Sequence, residues 1–164
     1  MIRVMLDSDQ LASLPSGMVP LLSTYSDLIP DLAALAALQR QHPGSEIILI
    51  DRGTGDPTGL ASVADVEPGA LTVAGLPAWF ARKTAAKIDD LTVYSDRADL
   101  DAIDAVLKGT GHEGHWRWVA TLDGTVDITG MPPLRRPAVV QILGSGQLGL
   151  HADLSLVLEP GWHR

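Results

Sequence analysis

Apolar residues follow two patterns along the chain: short apolar or alternating runs that indicate strands, and longer segments with a helical period. The clearest strand is Glu46–Asp51, whose almost continuous apolar run is typical of a strand buried on both faces of a parallel sheet. On this basis we predict the strands Ile2–Ser8, Val19–Ser26, Glu46–Asp51, Ala61–Glu67, Leu91–Ser95, His115–Leu122, Ala138–Leu143 and Ala152–Leu158. A tight-turn signal at Asp123-Gly124 leads into a short return strand, Thr125–Ile128.

Three segments have the periodicity and the end signals of helices. In the first, four leucines fall on one face, and His42-Pro43-Gly44 ends the segment. The predicted helices run from Asp27 or Asp31 to about Gln41, from Leu76 to Ile88, and from Asp96 or Asp99 to about Gly109.

Strands alternate with helices in the first two-thirds of the chain, which favours a mostly parallel sheet. Eight strands suggest a (β/α)8 barrel, but such barrels usually need about 250 residues, and this chain has 164. We therefore predict an α/β fold, a shortened or incomplete (β/α)8 TIM-like barrel with about eight strands and three clear helices. No linker, low-complexity run or repeat divides the sequence, so residues 1–164 are expected to form one domain.

Composition narrows the classes of partner. Hydrophobic residues make up 46% of the chain and charged residues 20%, which is typical of a globular protein. The net charge of −8 argues against nucleic acid as a partner. No apolar run is long enough to cross a bilayer, and we expect neither a membrane partner nor a signal peptide. Without cysteine the compartment stays open between the cytoplasm, a virion and release at lysis.

Asp65 and Glu67 form the strongest pattern of ionisable residues. They lie two apart at the end of the predicted strand Ala61–Glu67, so both side chains leave the same face. Two like charges in that position are costly for stability, but they are useful where an acid and a charged helper share a cleft. The alternative is a solvated strand end.

Two further aspartates are expected near this pair. Asp7 closes the first strand, and Asp153 lies at the start of the last. In a parallel barrel the chemistry gathers at the carboxyl ends of the strands, where Asp7 meets the pair and Asp153 must reach the same mouth. Glycoside hydrolysis needs such a group of carboxyls, one protonated and another ionised.

Three other motifs have alternative interpretations. Gly144–Gly149 fits a dinucleotide-binding pattern, but only fifteen residues follow it, so we predict a glycine loop and no cofactor. His112 and His115 lack the helical spacing of a zinc site, and we predict a solvated loop and no metal. Trp116 and Trp118 share one face of their strand, where core packing and a sugar-binding cleft are the alternatives.

Five segments, in order along nearly the whole chain, resemble motifs of the glycoside hydrolase family 25 lysozyme-like group, in the form seen in actinobacteria and their phages. The matching segments are Met5-Leu6-Asp7-Ser8, Ala64-Asp65-Val66-Glu67, Thr92-Val93-Tyr94-Ser95, Trp118-Val119-Ala120, and Val140-Gln141 followed by Gly149-Leu150-His151-Ala152-Asp153-Leu154-Ser155.

This resemblance implies a barrel that cleaves the muramic acid linkage of peptidoglycan or acts on another glycan, without a cofactor. Its acidic positions fall on Asp7, Asp65, Glu67 and Asp153. Glu67 is then the general acid and Asp65 tunes its pKa, while the other two support the transition state or a neighbouring group of the substrate. The matching residues that imply substrate contacts are Tyr94, Trp118 and Gln141.

The chain also departs from the family pattern. Its third strand ends in Asp51-Arg52 where the family has Tyr-His-Phe-type residues, Ile142 replaces a tyrosine, and no wall-binding repeat is present. A non-catalytic binding or structural module of the same fold, as in a phage particle, is therefore the alternative. Thin helical cover further predicts that a strand flank packs against another copy or an assembly partner.

Overall fold

Eight strands close into a barrel in chain order. The computed structural model describes residues 2–126, 137–148 and 150–163. The strands are β1 Arg3–Asp7, β2 Leu21–Tyr25, β3 Glu46–Asp51, β4 Val63–Val66, β5 Thr92–Asp96, β6 Trp116–Ala120, β7 Val139–Leu143 and β8 Asp153–Val157. Strands β1 to β7 pair in parallel with their neighbours in sequence, whereas β8 pairs antiparallel with both β7 and β1.

Within the part of the chain that the structure describes, helices connect only some of these strands. The helices are α1 Leu32–Gln41, α2 Leu76–Ala85, α3 Leu100–Thr110 and the single turn α4 Ser145–Leu148. Helix α1 begins where the Asp31 side chain accepts a hydrogen bond from the Ala34 N–H at 2.8 Å. Helix α3 ends at Gly111, whose φ of +77° lies in the left-handed region that glycine adopts without strain. Shorter 3-10 turns lie at Leu11–Ser13, Ser26–Leu28 and Val73–Gly75.

Alternation along the strands separates an interior core from two outer ones. Inside the barrel lie Met5, Leu21, Ile48, Ile50, Val63, Trp118, Val139 and Val157. Outside, α1 packs Leu35 and Leu38 over β1 to β3. Helices α2 and α3 cover β4 and β5 with the side chains of Trp79, Phe80, Ile103 and Leu107. Among the described residues, no helix has the length and apolar character that a bilayer crossing needs.

The last described residues close the amino end of the barrel. Trp162 is fully buried there, and its indole Nε1 donates to Thr92 Oγ1 at 2.9 Å. The Arg3 guanidinium donates to the carbonyl of His163 at 3.1 Å and to that of Trp162. We call this set of four residues the floor, because it seals the end of the barrel opposite the carboxyl ends of β1 to β7.

The predicted α/β barrel with eight strands and three longer helices is confirmed at this level. It is a mixed, strand-dominated barrel, because β8 runs antiparallel to both of its neighbours and the β1–β2 and β3–β4 connections contain no α-helix. The fourth strand is shorter than the predicted Ala61–Glu67. The Ala61 N–H bonds to Asp56 Oδ2 in the preceding loop, and the Glu67 carbonyl accepts from Ala70 in a turn.

Two other local predictions have different outcomes. The predicted loop Gly144–Gly149 is wrong over α4, where Gln147 Oε1 accepts from the Gly144 N–H at 2.8 Å and stabilises the turn. Gly149 itself lies outside the described residues. Of the predicted return strand Thr125–Ile128, the first two residues lie in no strand and the last two are outside the described part of the chain.

Candidate active site at the carboxyl end of the barrel

Four carboxyl groups come from three strands that meet at one rim of the barrel. Asp7 is the last residue of β1, Asp65 lies in β4, and Glu67 follows that strand directly. Asp153 is the first residue of β8. Because β8 is antiparallel, its first residue lies at the carboxyl end of β1, where Asp153 pairs with Asp7 in the register. We call this rim the mouth and the four residues the carboxylate cluster.

Strand alternation explains the inward direction of the β4 pair. Val63 belongs to the interior core, and Asp65 and Glu67 follow at intervals of two residues. Asp65 lies beside Tyr94 in the register of β4 and β5 and is only 3% exposed. Glu67 is half-buried, and its carboxylate interacts with the Tyr94 hydroxyl. Glu67 is therefore the member of the pair that a ligand reaches more easily.

Burial shifts the proton affinity of the two deepest carboxyls. Burial raises the pKa of Asp7 well above its usual range, and repulsion from Asp153 and Asp65 adds to the rise. Burial also raises the pKa of Asp65 to about 7, with further repulsion from Glu67 that the Arg52 guanidinium partly offsets. The mouth therefore retains protons at a pH where solvated carboxyls have lost them.

The other two carboxyls are shifted in the same direction. Burial raises the pKa of Glu67, although the hydrogen bond from Tyr94 opposes the rise. Burial likewise raises the pKa of Asp153, against hydrogen bonds from the Ser145 backbone and from Gln141. Gln141 Nε2 donates to Asp153 Oδ2 at 2.7 Å. Each member of the cluster is therefore a candidate proton donor.

Several buried polar atoms of the mouth lack a hydrogen-bond partner among the described residues. Three of them are Asp7 Oδ1, Asp65 Oδ1 and Gln141 Oε1, and the hydroxyls of Ser23 and Ser155 beside them lack a partner as well. Buried acceptors are normally satisfied, because leaving one unpaired costs about 1–3 kcal/mol. Their concentration at this end is therefore typical of a site that completes its hydrogen bonds with a ligand or water.

A cleft of about 290 Å³ opens beside the cluster, on its β1 and β8 side. It is lined by Asp7, Ser8, Asp9, Gln10, Tyr25, Ser145, His151, Ala152 and Asp153. The β4 pair is not part of this lining. A ligand in the cleft therefore contacts Asp7 and Asp153 first, and it must extend across the mouth to reach Glu67.

The three predicted substrate contacts occupy different depths. Gln141 and Tyr94 reach the cluster, as described above. Trp118 is fully buried, with its ring centroid 5.1 Å from that of Tyr94 and 6.3 Å from that of Trp162. It therefore packs in the interior core below the mouth, with no surface left for a ligand. Trp116 is half-buried on the same face.

The two loop histidines have a packing role. His112 Nδ1 lies 3.1 Å from His115 Nε2, and both rings stack on Phe80 with centroid distances of 4.4 and 4.7 Å. Among residues 2–126, 137–148 and 150–163, no group of three or more His, Cys, Asp or Glu side chains is arranged to hold a metal ion.

Sequence reasoning did not select Tyr25 and Arg52. Tyr25 ends β2 and lines the cleft, and the Arg52 guanidinium lies 4.5 Å from the centre of its ring. Arg52 also donates to Asp27 Oδ2, from Nη2 at 2.7 Å and from Nε at 3.0 Å. The position of Tyr25 in the sequence could have identified it as a site residue, because it lies at the end of a strand and on its inward face.

This arrangement can transfer a proton to a ligand and hold negative charge beside it. One raised carboxyl supplies the proton, while an ionised neighbour stabilises a developing cation. No family model matches the chain, and neither a curated protein nor a solved structure matches it at a significant level.

Proposed function

We propose that the chain is a peptidoglycan-directed glycosidase of the lysozyme type, built on a shortened (β/α)8 barrel. The observation that carries the proposal is the meeting of Asp7, Asp65, Glu67 and Asp153 at one mouth with raised pKa values. Glycoside hydrolysis needs one carboxyl that holds a proton and an ionised neighbour, and burial at this mouth favours the protonated form. The resemblance to family 25 supplies the substrate class.

Glu67 is the proposed general acid. It is half-buried, so a glycosidic oxygen can approach it, and its pKa is raised by burial. Its proton passes to the leaving oxygen as the glycosidic C–O bond breaks. A water then adds to the anomeric carbon and returns a proton to a carboxylate of the cluster. Tyr94 positions Glu67 through its hydroxyl.

Asp65, Asp7 and Asp153 have supporting roles. Asp65 lies beside Glu67 on the inner face, and repulsion between the two carboxylates adds to the burial that raises the pKa of Asp65 to about 7. Asp7 and Asp153 face the cleft and are placed to stabilise the oxocarbenium-like transition state or a neighbouring group of the sugar. Gln141 holds Asp153 in place through its 2.7 Å hydrogen bond.

A non-catalytic glycan-binding module is the second candidate. One observation favours it: the 290 Å³ cleft is lined by Asp7 and Asp153 but not by the β4 pair. A ligand confined to that cleft binds without contact to Glu67. The two candidates therefore differ in whether Glu67 is needed for a chemical step.

Release of soluble fragments from purified, dye-labelled cell walls tests the proposal. General acid catalysis contributes about 10²–10⁴-fold to a rate, so Glu67→Gln is expected to lose at least a hundredfold of the release rate. Glu113→Gln makes the same change of charge on the exposed loop before β6, and it should release fragments at the unaltered rate. Equal release by Glu67→Gln contradicts the role of Glu67. Absence of release by every form, with binding to the walls retained, supports the module.

A further inference from the structure

Tyr25 contributes an aromatic ring to the wall of the cleft. Resting on the proposed function for the class of ligand, we propose that one sugar ring stacks on Tyr25 in the cleft, and that the Arg52 guanidinium holds Tyr25 in position for it. The stacked sugar then extends from the cleft toward Glu67. The basis is the place of Tyr25 between Arg52 and the cleft, together with the direction of its hydroxyl.

Strand alternation turns Tyr25 into the barrel. Leu21 belongs to the interior core, and Ser23 and Tyr25 follow it at intervals of two residues along β2. Tyr25 packs against that core, but as the last residue of its strand it is only partly buried. Its ring therefore stands at the rim of the barrel, where part of its surface is open to the cleft.

The two faces of the ring have different neighbours. In the barrel, β2 lies between β1 and β3. Arg52 follows β3 directly, and its guanidinium lies over the Tyr25 ring at 4.5 Å from the centroid, so it covers the face on the β3 side. The cleft lies on the β1 and β8 side, where its wall includes Asp7 and Asp153. The face of Tyr25 opposite Arg52 is therefore the one turned toward the cleft.

Arg52 is held in place by an ion pair. Its Nη2 and Nε donate to Asp27 Oδ2 at 2.7 and 3.0 Å, and Thr54 Oγ1 donates to the same oxygen at 2.8 Å. Asp27 comes two residues after Tyr25, so the ion pair and the ring contact form one compact unit. A guanidinium fixed over an aromatic ring stabilises the orientation of that ring. The stacking surface is therefore formed before a ligand binds, which lowers the entropic cost of binding.

The rest of the cleft wall suits the polar edge of a sugar ring. Beside Tyr25 the wall includes Asp7, Ser8, Gln10 and Asp153, which offer carboxylate, hydroxyl and amide groups. A sugar ring has an apolar face of C–H groups and hydroxyls at its edge, and each hydroxyl both donates and accepts hydrogen bonds. The volume of about 290 Å³ lies at the lower end of the range for ligand pockets, about 300–1,000 Å³, which suits a single ring.

The hydroxyl end of Tyr25 links the cleft with the β4 pair. Burial raises the pKa of this hydroxyl, and the negative charges of Asp7, Asp65 and Glu67 add to the rise, so this end of the ring lies near those carboxyls. The ring therefore runs from the cleft toward the centre of the mouth. A sugar stacked on its face extends in the same direction and brings its glycosidic oxygen toward Glu67, which is not part of the cleft lining.

Magnetic resonance on the full chain carrying Glu67→Gln tests the stacking directly, because that form binds a glycan without cleaving it. The chain is deuterated except at the rings of its two tyrosines. Saturation of these ring protons should transfer to the C–H protons on one face of a sugar ring in an N-acetylglucosamine tetramer. The transfer should disappear in Tyr25→Leu. Absence of transfer, or transfer that persists in Tyr25→Leu, overturns the inference.

Calorimetric titration with the same tetramer measures the contribution of the ring to affinity. Tyr25→Leu keeps an apolar side chain against the interior core but removes the flat face, and we expect binding to weaken by about tenfold or more. Tyr25→Phe keeps the face and should bind within about threefold of the unaltered residue. Equal affinity of Tyr25→Leu and the unaltered residue overturns the inference. A larger loss in His151→Ala also overturns it, since His151 lies in the wall on the β8 side.

Arg52 acts through Tyr25 and is tested as a positioning residue. Arg52→Met should weaken tetramer binding by about threefold and reduce the saturation transfer from Tyr25. Arg40→Met makes the same change of charge on the exposed last turn of α1, and it should alter neither quantity. Unchanged binding in Arg52→Met, or an equal loss in both variants, overturns the role of Arg52.

Failure of this inference and failure of the proposed function give different results. Wall hydrolysis by the unaltered chain, with an unchanged Michaelis constant in Tyr25→Leu, overturns the stacking role alone. Saturation transfer from Tyr25 to the tetramer without hydrolysis of any glycan supports the stacking role and overturns the enzymatic one.

Discussion

The two ends of the barrel are built from the same strands but differ in how their buried polar groups are paired. At the floor, Trp162 is fully buried and donates to Thr92, and Arg3 donates to two backbone carbonyls. At the mouth, Asp7 and Asp65 keep buried oxygens without a partner among the described residues. The floor completes its polar contacts within the chain, and the mouth does not.

This difference indicates that the floor contributes to the stability of the fold and that the mouth reduces it. Buried polar groups stabilise a fold when they are paired and destabilise it when they are not. The floor therefore holds the barrel closed, while the mouth keeps unpaired buried polar groups at a cost in stability. Each prediction below is designed to break or sharpen this contrast.

The largest expected effect is at the floor. Trp162→Ala should lower the free energy of unfolding by about 3–5 kcal/mol, the usual cost of removing a fully buried large side chain. The variant also leaves the Thr92 hydroxyl without its donor. Urea unfolding followed by tryptophan fluorescence measures the change. A loss below about 1 kcal/mol would show that the last described residues do not hold the barrel closed.

The next effect, at the mouth, has the opposite sign. The folded chain keeps a proton on Asp65 up to about pH 7, whereas an unfolded aspartate loses it near pH 3.9, so stability should fall as pH rises between these values. Asp65→Asn removes the contribution of this residue to the pH dependence and should stabilise the chain at pH 8 by as much as about 4 kcal/mol. Unfolding free energies of the unaltered chain and of Asp65→Asn at pH 5, 6, 7 and 8 measure how the stability of each depends on pH.

Asp56 provides the matched control for this experiment. Burial favours its neutral form, but the hydrogen bonds and charge of Lys83 outweigh burial and lower the pKa. The stability it contributes is therefore present at neutral pH and is lost on acidification, the reverse of Asp65. Asp56→Asn should destabilise the chain most at neutral pH. If the unfolding free energy changes with pH in the same way in the unaltered chain and in Asp65→Asn, the contrast between the mouth and the floor is refuted.

The strand pattern of the sequence predicts much of this architecture. Glu46–Asp51 is found with the predicted bounds, because a continuous apolar run between a turn and a glycine loop has few alternatives. The inward direction of Asp65 and Glu67 follows from an alternation of two residues. The alternation of side chains along a strand is therefore enough to predict that Asp65 and Glu67 point to the same side.

The closure of the barrel, in contrast, cannot be predicted from the local sequence pattern. Asp153 meets Asp7 because β8 runs antiparallel between β7 and β1, and nothing in residues 153–157 alone specifies that direction. The floor was not predicted either, since Trp162 finds Thr92 across 70 positions of sequence. Such contacts depend on how distant segments pack, which local periodicity does not encode.

A smaller effect at the floor separates its hydrogen bonds from its packing. Arg3→Met keeps an unbranched chain but removes the donors to the carbonyls of Trp162 and His163. We expect a loss of about 1.5–3 kcal/mol in the free energy of unfolding, typical of hydrogen bonds with a charged donor. Ligand affinity at the mouth should be unchanged. A shift in affinity would mean that the two ends are coupled.

The smallest effect is expected at Gln141, and it distinguishes the ends most directly. Gln141→Met removes the donor to Asp153, but it also removes the unpartnered Oε1. Because the lost bond and the relieved acceptor act in opposite directions, stability at pH 7 should change by less than about 1 kcal/mol. Glycan affinity should fall in the same variant, since the acceptor and the orientation of Asp153 are both lost. Urea unfolding and calorimetric titration measure the two quantities, and a loss of stability equal to that of Arg3→Met would show that the mouth is held together in the same way as the floor.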